Sequence, residues 1–191
     1  MTLPIVLGSS SQSRKQVLEK HMPFTTISPN IDEKAIRDED PKKLTLLIAH
    51  AKMKAVENKC PNSIVICMDQ VVMVNNIILE KPESKEEARK FINLYNSYPA
   101  VCITGLVMKN TLTGQTKSCN VVETQEFSKN VKIPASIVEA LIEDGECMWC
   151  AGALIVEHPL IQPYIIKSEY EEAIRGLPIR EVTQFIKELQ K

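Results

Sequence analysis

The eleven residues Ile64-Val65-Ile66-Cys67-Met68-Asp69-Gln70-Val71-Val72-Met73-Val74 constrain the fold more than any other segment. Ile, Val and Met dominate the run, so it reads as a central strand. Asp69 breaks it. A buried carboxylate without a partner costs on the order of several kcal/mol, so Asp69 needs a strong partner or a place at the strand's open end. A metal ion, or an ordered water to deprotonate, meets that need. A structural Asp that caps a turn or pairs with a Lys meets it too, but a charge inside a central strand is unusual and favours a functional role.

The flanking sequence alternates strand and helix. Leu3 to Gly8 reads as a short buried strand, followed by three serines and a helical pattern from Gln12 to His21 with Val17 and Leu18 on its buried face. Phe24 to Ser28 reads as a second strand ended by Pro29-Asn30. A helix starts at Pro41, with Leu44, Leu47, Ile48, Ala51 and Ala55 at helical spacing. Asn75-Asn76 is a turn that returns the chain through Ile77-Ile78-Leu79. Ser84 caps a helix running to about Asn96, and Glu87 completes a capping box. Pro99 to Met108 and Lys117 to Phe127 read as strands joined near Thr113-Gly114. A helix from Pro134 to Glu143 stops at Asp144-Gly145, and the last helix starts near Pro178 and carries Val182, Phe185, Ile186 and Leu189. No repeat, low-complexity tract or linker interrupts this order. The class is α/β with a mixed sheet, and 191 residues suit a single domain, 1–191, or one with a sub-lobe.

Composition removes several function classes. A net charge of −1 lacks the basic excess of a nucleic-acid-binding protein, so an anionic substrate must meet a local cluster of Lys and Arg. No apolar stretch reaches the roughly 18 residues of a membrane helix, and no leader pattern opens the chain. Six cysteines, several in apolar runs, behave as small hydrophobes and point to a reducing cytoplasm.

Four segments carry chemistry. Leu7-Gly8-Ser9-Ser10-Ser11-Gln12-Ser13-Arg14 leads a strand through hydroxyl residues into a helix start, where free N–H groups favour an anion. Ser9 can donate its hydroxyl to a phosphate there, and Arg14 can grip the same phosphate with its fork. Alone, the segment is equally a plain serine cap. Asp69 is the second. Asn30-Ile31-Asp32-Glu33 is the third: two carboxylates that suit Mg²⁺ or simply face water. The fourth is the scattered pair Lys52 and Lys81, the latter held extended by Pro82. Taken singly, each lysine reads as a solvated surface charge. Cys147-Met148-Trp149-Cys150 lacks the second ligand pair of a zinc site, and it follows a helix where a redox motif would open one. His21, His50 and His158 show no metal-ligand spacing.

Taken in order, these segments resemble the Maf (septum-formation inhibitor) family of nucleotide pyrophosphatases, from Ile5 to about Leu189. The carriers are Ser9 to Arg14, Asp32-Glu33, Ala49 to Lys52, Asp69-Gln70, Lys81-Pro82, Thr104-Gly105, Ala151-Gly152 and Gly176-Leu177-Pro178. The resemblance implies an elongated mixed β-sheet flanked by helices, Maf/ITPase-like, with two lobes around a cleft, and a homodimer. It implies hydrolysis of a nucleoside triphosphate to the monophosphate and pyrophosphate with a divalent metal, Mg²⁺ or alternatively Mn²⁺ or Co²⁺. Asp69 matches the acid–base group. Ser9, Arg14, Glu33, Lys52 and Lys81 match phosphate and metal contacts, with Glu33 and Asp69 holding the metal.

Two positions point to a branch. Gln70 stands where the dTTP/UTP-selective branch has Thr, and Cys150-Ala151-Gly152-Ala153-Leu154-Ile155-Val156-Glu157 resembles the segment of the branch acting on 7-methyl-GTP. A carboxylate at Glu157 can accept from the N1–H and N2–H₂ donors of guanine, and it gains from the charge of a 7-methylated base. The chain also departs from the pattern. Gln12 replaces a Pro, and Ser13 stands where the 7-methyl-GTP branch has a Trp able to stack on the base. Ala173 lies near the place of a family Asn, and the segment 158–172 is atypical. Trp149, the sole tryptophan, reads as a core residue. The alternatives are a dTTP/UTP pyrophosphatase of the same family and a nucleotide-binding regulatory module without catalysis.

Overall fold

A computed structural model of the chain describes residues 2–191. In chain order it opens with β1 (Ile5–Gly8), α1 (Gln12–Glu19), β2 (Thr25–Thr26), α2 (Pro41–Val56) and β3 (Ile64–Val74). It continues with β4 (Ile77–Leu79), α3 (Lys85–Leu94), β5 (Ala100–Asn110) and β6 (Thr116–Gln125). The helices α4 (Ala135–Asp144), α5 (Glu171–Ile174) and α6 (Ile179–Leu189) complete it. The sheet is mixed, with strand order β2-β1-β3-β5-β6 and β4 paired to β3. β1 runs parallel to both β2 and β3, while β4 is antiparallel to β3. The fold is therefore α/β, and the Ile64–Val74 run is the central strand its composition implies.

The chain forms two compact units. The first contains the residues up to Gln70, with Thr104–Val121 and Arg175–Lys191. Its strands bury both faces. On one, Ile64, Ile66 and Met68 of β3 and Leu106 and Met108 of β5 pack with Leu18 of α1, Val182 and Leu189 of α6, and Leu177 just before α6. On the other, Val65, Cys67 and Val107 pack with Ala49, Met53 and Val56 of α2. The alternation along β3 is the two-residue period of a strand covered on both sides. Gly105 admits α2 to this face: a Cβ there would sit 2.5 Å from the carbonyl carbon of Thr45 and 2.6 Å from the nitrogen of Leu46.

The second unit is Val71–Ile103 with Val122–Ile174. Its core gathers Val72, Val74, Ile92, Tyr95, Cys102, Phe127, Val138, Leu141 and Ile142. The rings of Tyr95 and Phe127 stack at 4.7 Å. Tyr95 donates its hydroxyl to the carbonyl of Gly152 at 2.5 Å, which satisfies a polar group inside an apolar core. α4 stops at Gly145, whose φ of 86° is a left-handed cap.

Several expectations change. The second strand is two residues long rather than five, because β2 has only the four-residue β1 as neighbour. On α2 the buried stripe runs through Leu44, Thr45, Ile48, Ala49, Lys52, Met53 and Val56, leaving Leu47 exposed. The cap of α3 is Ser84, which accepts from the Glu87 amide, but Glu87 accepts from the Glu83 amide rather than closing on Ser84. Trp149 is 78% exposed and no core residue: the short 3-10 turn Glu146–Trp149 turns Cys147 inward and leaves the indole in solvent.

Candidate active site

The first unit gathers the candidate site from several elements. β1 ends at Gly8, and the buried Ser9 accepts a hydrogen bond from the Ser11 amide at 3.2 Å. Ser11 then caps α1 by accepting from the Arg14 amide. One turn into α1, Arg14 Nη1 donates to the Met68 carbonyl on β3 at 3.2 Å. This bond anchors the guanidinium beside the strand position that carries Asp69.

Asp69 and Lys52 lie inside, at 7% and 5% exposure. Lys52 Nζ donates to Asp69 Oδ1 at 2.7 Å and lies 2.9 Å from Glu33 Oε2. It also reaches the Met68 carbonyl at 3.5 Å. Glu33 opens a 3-10 turn, and its side chain is 43% exposed, so the cluster runs from a solvent-facing carboxylate to a buried one. Burial pushes the Asp69 carboxyl above the ordinary carboxylate range, while Lys52 and then Arg14 pull it down and the Glu33 carboxylate adds to the rise. A carboxylate with a raised pKa is a better proton acceptor near neutral pH.

Gln70 donates to the Thr104 hydroxyl on β5 at 3.0 Å. Gly176 backs this arrangement. Its φ is 87°, and a Cβ there would lie 3.0 Å from Arg14 Nε and 3.2 Å from Gln70 Oε1. A side chain would therefore displace the two groups that flank Asp69. Ser13 accepts from Arg175 Nε at 3.2 Å, which turns its hydroxyl toward the chain preceding α6.

Lys81 and Glu157 belong to the second unit. There the Glu80 carbonyl accepts from the Gly152 amide at 2.9 Å, which sets the backbone just before Lys81. Both side chains act on the Cys150 thiol. That thiol is pushed up to about 12, chiefly by burial and next by Glu157, with Lys81 opposing the rise. Within that unit, the two predicted substrate residues therefore lie close enough to one cysteine to shift its titration.

A metal would find few protein ligands. Among the described residues, no group of three or more His, Cys, Asp or Glu side chains is placed to hold one. Glu33 and Asp69, joined through Lys52, supply two oxygen donors. Mg²⁺ characteristically uses one or two carboxylates and takes its other ligands from waters and substrate phosphates, so this donor set fits it.

The sequence profile of the family described as Maf-like protein matches residues 4–189. The chain belongs to the Maf-like family. A protein of Dictyostelium discoideum named 7-methyl-GTP pyrophosphatase is 42% identical over 185 residues, covering 92% of this chain and 91% of its own length. A protein of the same name from Idiomarina loihiensis is 34% identical, over 93% of this chain and 90% of its own. Among solved structures, a HAM1 protein from Coxiella burnetii matches at a TM-score of 0.36 and 13% identity, over 66% of this chain and 74% of that one.

The Maf-like segments divide between the units. Ser9 to Arg14, Asp32-Glu33, Lys52, Asp69-Gln70, Thr104-Gly105 and Gly176-Leu177-Pro178 fall in the first, while Lys81-Pro82 and Ala151-Gly152 fall in the second. Some of these residues support the site rather than form it. Thr104 holds Gln70, Gly105 admits α2, and Gly176 makes room for Arg14. The sequence reading missed Arg175, whose bond to Ser13 joins positions 162 residues apart. Taken singly, Lys52 read as a surface charge and gained its role only from the family motif, although the apolar neighbours Ala49, Met53 and Val56 on the same helical face signal its burial.

Proposed function

We propose that this chain hydrolyses a nucleoside triphosphate to the monophosphate and pyrophosphate, with 7-methyl-GTP as its substrate. The observation that carries this reading is Lys52, buried and bridging Asp69 and Glu33, with Arg14 fixed on the adjacent Met68 carbonyl. The close relation to two proteins named 7-methyl-GTP pyrophosphatase supports the substrate.

The reaction is attack of a water oxygen on the α-phosphorus. A new P–O bond forms, the bond from the α-phosphorus to the bridging oxygen breaks, and pyrophosphate leaves with that electron pair. Asp69, buried and held by Lys52, is placed to take the proton lost by the water. Arg14 and Lys52 offset charge on the non-bridging oxygens, and Ser9 donates its hydroxyl to a phosphate. Little covalent work is left to the protein beyond placing these groups. The proposed cofactor is Mg²⁺, with Mn²⁺ or Co²⁺ as substitutes, held by Glu33 and Asp69; when bound, such an ion neutralises phosphate oxygens and polarises water.

Lys81 adds a further positive charge for the phosphates. Glu157 reads guanine by accepting from its N1–H and N2–H₂ groups, and Gln70 and Ser13 tune the base preference. Residues 1–191 act as one catalytic domain, consistent with a family match that runs over 4–189. Among the described residues, no helix is long and apolar enough to cross a membrane, and six free thiols favour a reducing cytoplasm. The biological role follows as removal of a modified nucleotide from the pool, by a homodimer.

The test is pyrophosphate release, with Mg²⁺, from 7-methyl-GTP, GTP, UTP, dTTP and CTP. Strong turnover of 7-methyl-GTP alone supports both reaction and substrate. Turnover of UTP or dTTP instead keeps the reaction and replaces the substrate. No turnover by folded protein, with nucleotide still bound, replaces the enzyme by a regulatory binding module.

A further inference from the structure

The same ammonium that marks the site also restricts it. Lys52 Nζ is 2.7 Å from Asp69 Oδ1 and 2.9 Å from Glu33 Oε2, the two oxygens' carboxylates being those that the pyrophosphatase reading gives to the metal. Lys52 is 5% exposed, and its helix α2 is packed against β3 and β5 through Ala49, Met53 and Val56. A third acceptor, the Met68 carbonyl, lies 3.5 Å from the same nitrogen. A charge held this way interacts in a medium far less polarisable than water, so its repulsion of a second cation is strong.

The carboxylates already face fixed cations. Lys52 bridges both of them, and the Arg14 guanidinium also acts on Asp69. A bare divalent ion adds two positive charges to a largely buried cluster that already holds cations, which is costly. A divalent ion carried by a triphosphate brings its own compensation, and the phosphate oxygens offer the Lys52 ammonium new acceptors. An ammonium on a flexible four-carbon stem is well suited to change partners in this way.

We infer that Lys52 is a built-in competitor of the metal: it keeps Glu33 and Asp69 occupied in the free chain and releases them only when the dication arrives on a triphosphate. The functional substrate is then the metal–nucleotide complex, and ordered addition of metal before nucleotide is disfavoured. This inference rests on the pyrophosphatase reading above and adds the order of assembly to it.

Mn²⁺ binding to the full-length chain, followed by the paramagnetic signal of the free ion, tests it without turnover. Wild-type protein should bind Mn²⁺ at least about tenfold more weakly alone than with the α,β-methylene analogue of the triphosphate it hydrolyses. Lys52→Met, which keeps the stem and removes the charge, should bind Mn²⁺ without nucleotide at least about tenfold more tightly than wild type. Equal affinity of the wild type with and without the analogue overturns the inference, as does a folded Lys52→Met that binds no tighter. Should Lys52→Met not fold, the wild-type pair of measurements decides alone. Turnover of a triphosphate together with tight Mn²⁺ binding to the free wild type defeats only the order of assembly, whereas absence of turnover defeats the underlying reading.

Discussion

The two units treat buried charge in opposite ways. The first buries Lys52 and Asp69 between its sheet and α2, with Ser9, Thr45, Thr104 and Asn110 also inside. In the second, the buried polar side chain among the described residues is Gln125, whose amide donates to the carbonyls of Glu126 and Ile166. Its two-pronged ion pair, Arg89 with Glu139, sits at the surface between α3 and α4. A buried ion pair is poor value for stability, since desolvation rivals the attraction it gains. The first unit thus carries charges that a stable fold does not need, and the second carries a core that needs none. The difference sets the buried charge of the first unit, where the proposed chemistry lies, against a second unit shaped by packing.

The largest expected effect breaks the first half of that comparison. Asp69→Asn keeps the shape of the side chain and removes the acceptor of the proton. Turnover should fall by about two orders of magnitude or more, the scale seen when a preorganised catalytic charge is lost. Far-UV circular dichroism should match the wild type, since Lys52 retains Glu33 as a partner. Near-normal turnover in folded Asp69→Asn would make the buried charge structural and erase the contrast.

Gly152→Ala tests the packed half. Gly152 has a φ of 64°, and a Cβ there would lie 2.6 Å from the Tyr95 hydroxyl and 3.0 Å from Val72 Cβ. Two penalties add, a left-handed backbone without glycine and an overpacked core. Urea denaturation should show a loss of about 2–6 kcal/mol. A loss well below that range would mean that this core yields more readily than the stacked Tyr95 and Phe127 rings imply.

Glu157→Gln bears on recognition and should move less. Replacing the carboxylate by an amide removes a charged acceptor, and the ratio of kcat/KM for 7-methyl-GTP over UTP should drop about tenfold. An unchanged ratio would take base recognition away from Glu157 and leave the second unit without a specificity role for that side chain.

What could be read from the sequence depends on how local the cause is. β3 and its return were legible to the residue, because an apolar run bounded by Asn75-Asn76 contains its own turn chemistry: both asparagines adopt positive φ, 48° and 63°. Asp69 was legible for the same reason, as a charge inside that run. Lys52 was visible as a motif residue but not as a buried one, since a lysine is read as solvent-facing until its helical neighbours are weighed. Leu47 and Trp149 erred in the other direction, as apolar side chains that the packing leaves outside. Arg175 on Ser13, and Gly176 behind Arg14, depend on residues brought together from opposite ends of the chain, and no local pattern encodes them.

The smallest effect concerns the surface pair that represents the second unit's use of charge. Arg89 grips Glu139 with two parallel bonds, Nε to Oε1 at 2.5 Å and Nη2 to Oε2 at 2.8 Å, and it also meets Glu86 at 2.7 Å. The hydrogen bond from Arg89 holds the Glu139 carboxyl below its ordinary value of 4.5. The sign follows from proton binding. Where the folded carboxyl has the lower pKa, the unfolded chain takes up protons first as pH falls. The pair's stabilisation is then fully present above the ordinary carboxylate value and lost as pH drops through the folded one. Glu139→Gln should therefore melt slightly below wild type at pH 7, and the gap should close as pH falls below the ordinary carboxylate value. Added salt should narrow it as well, because both side chains are partly exposed and a screened pair contributes little. Pyrophosphate release should not change. A melting gap that persists at low pH would mean that Glu139 acts through packing rather than charge, and the second unit's pairing of α3 with α4 would then rest, like its core, on shape alone.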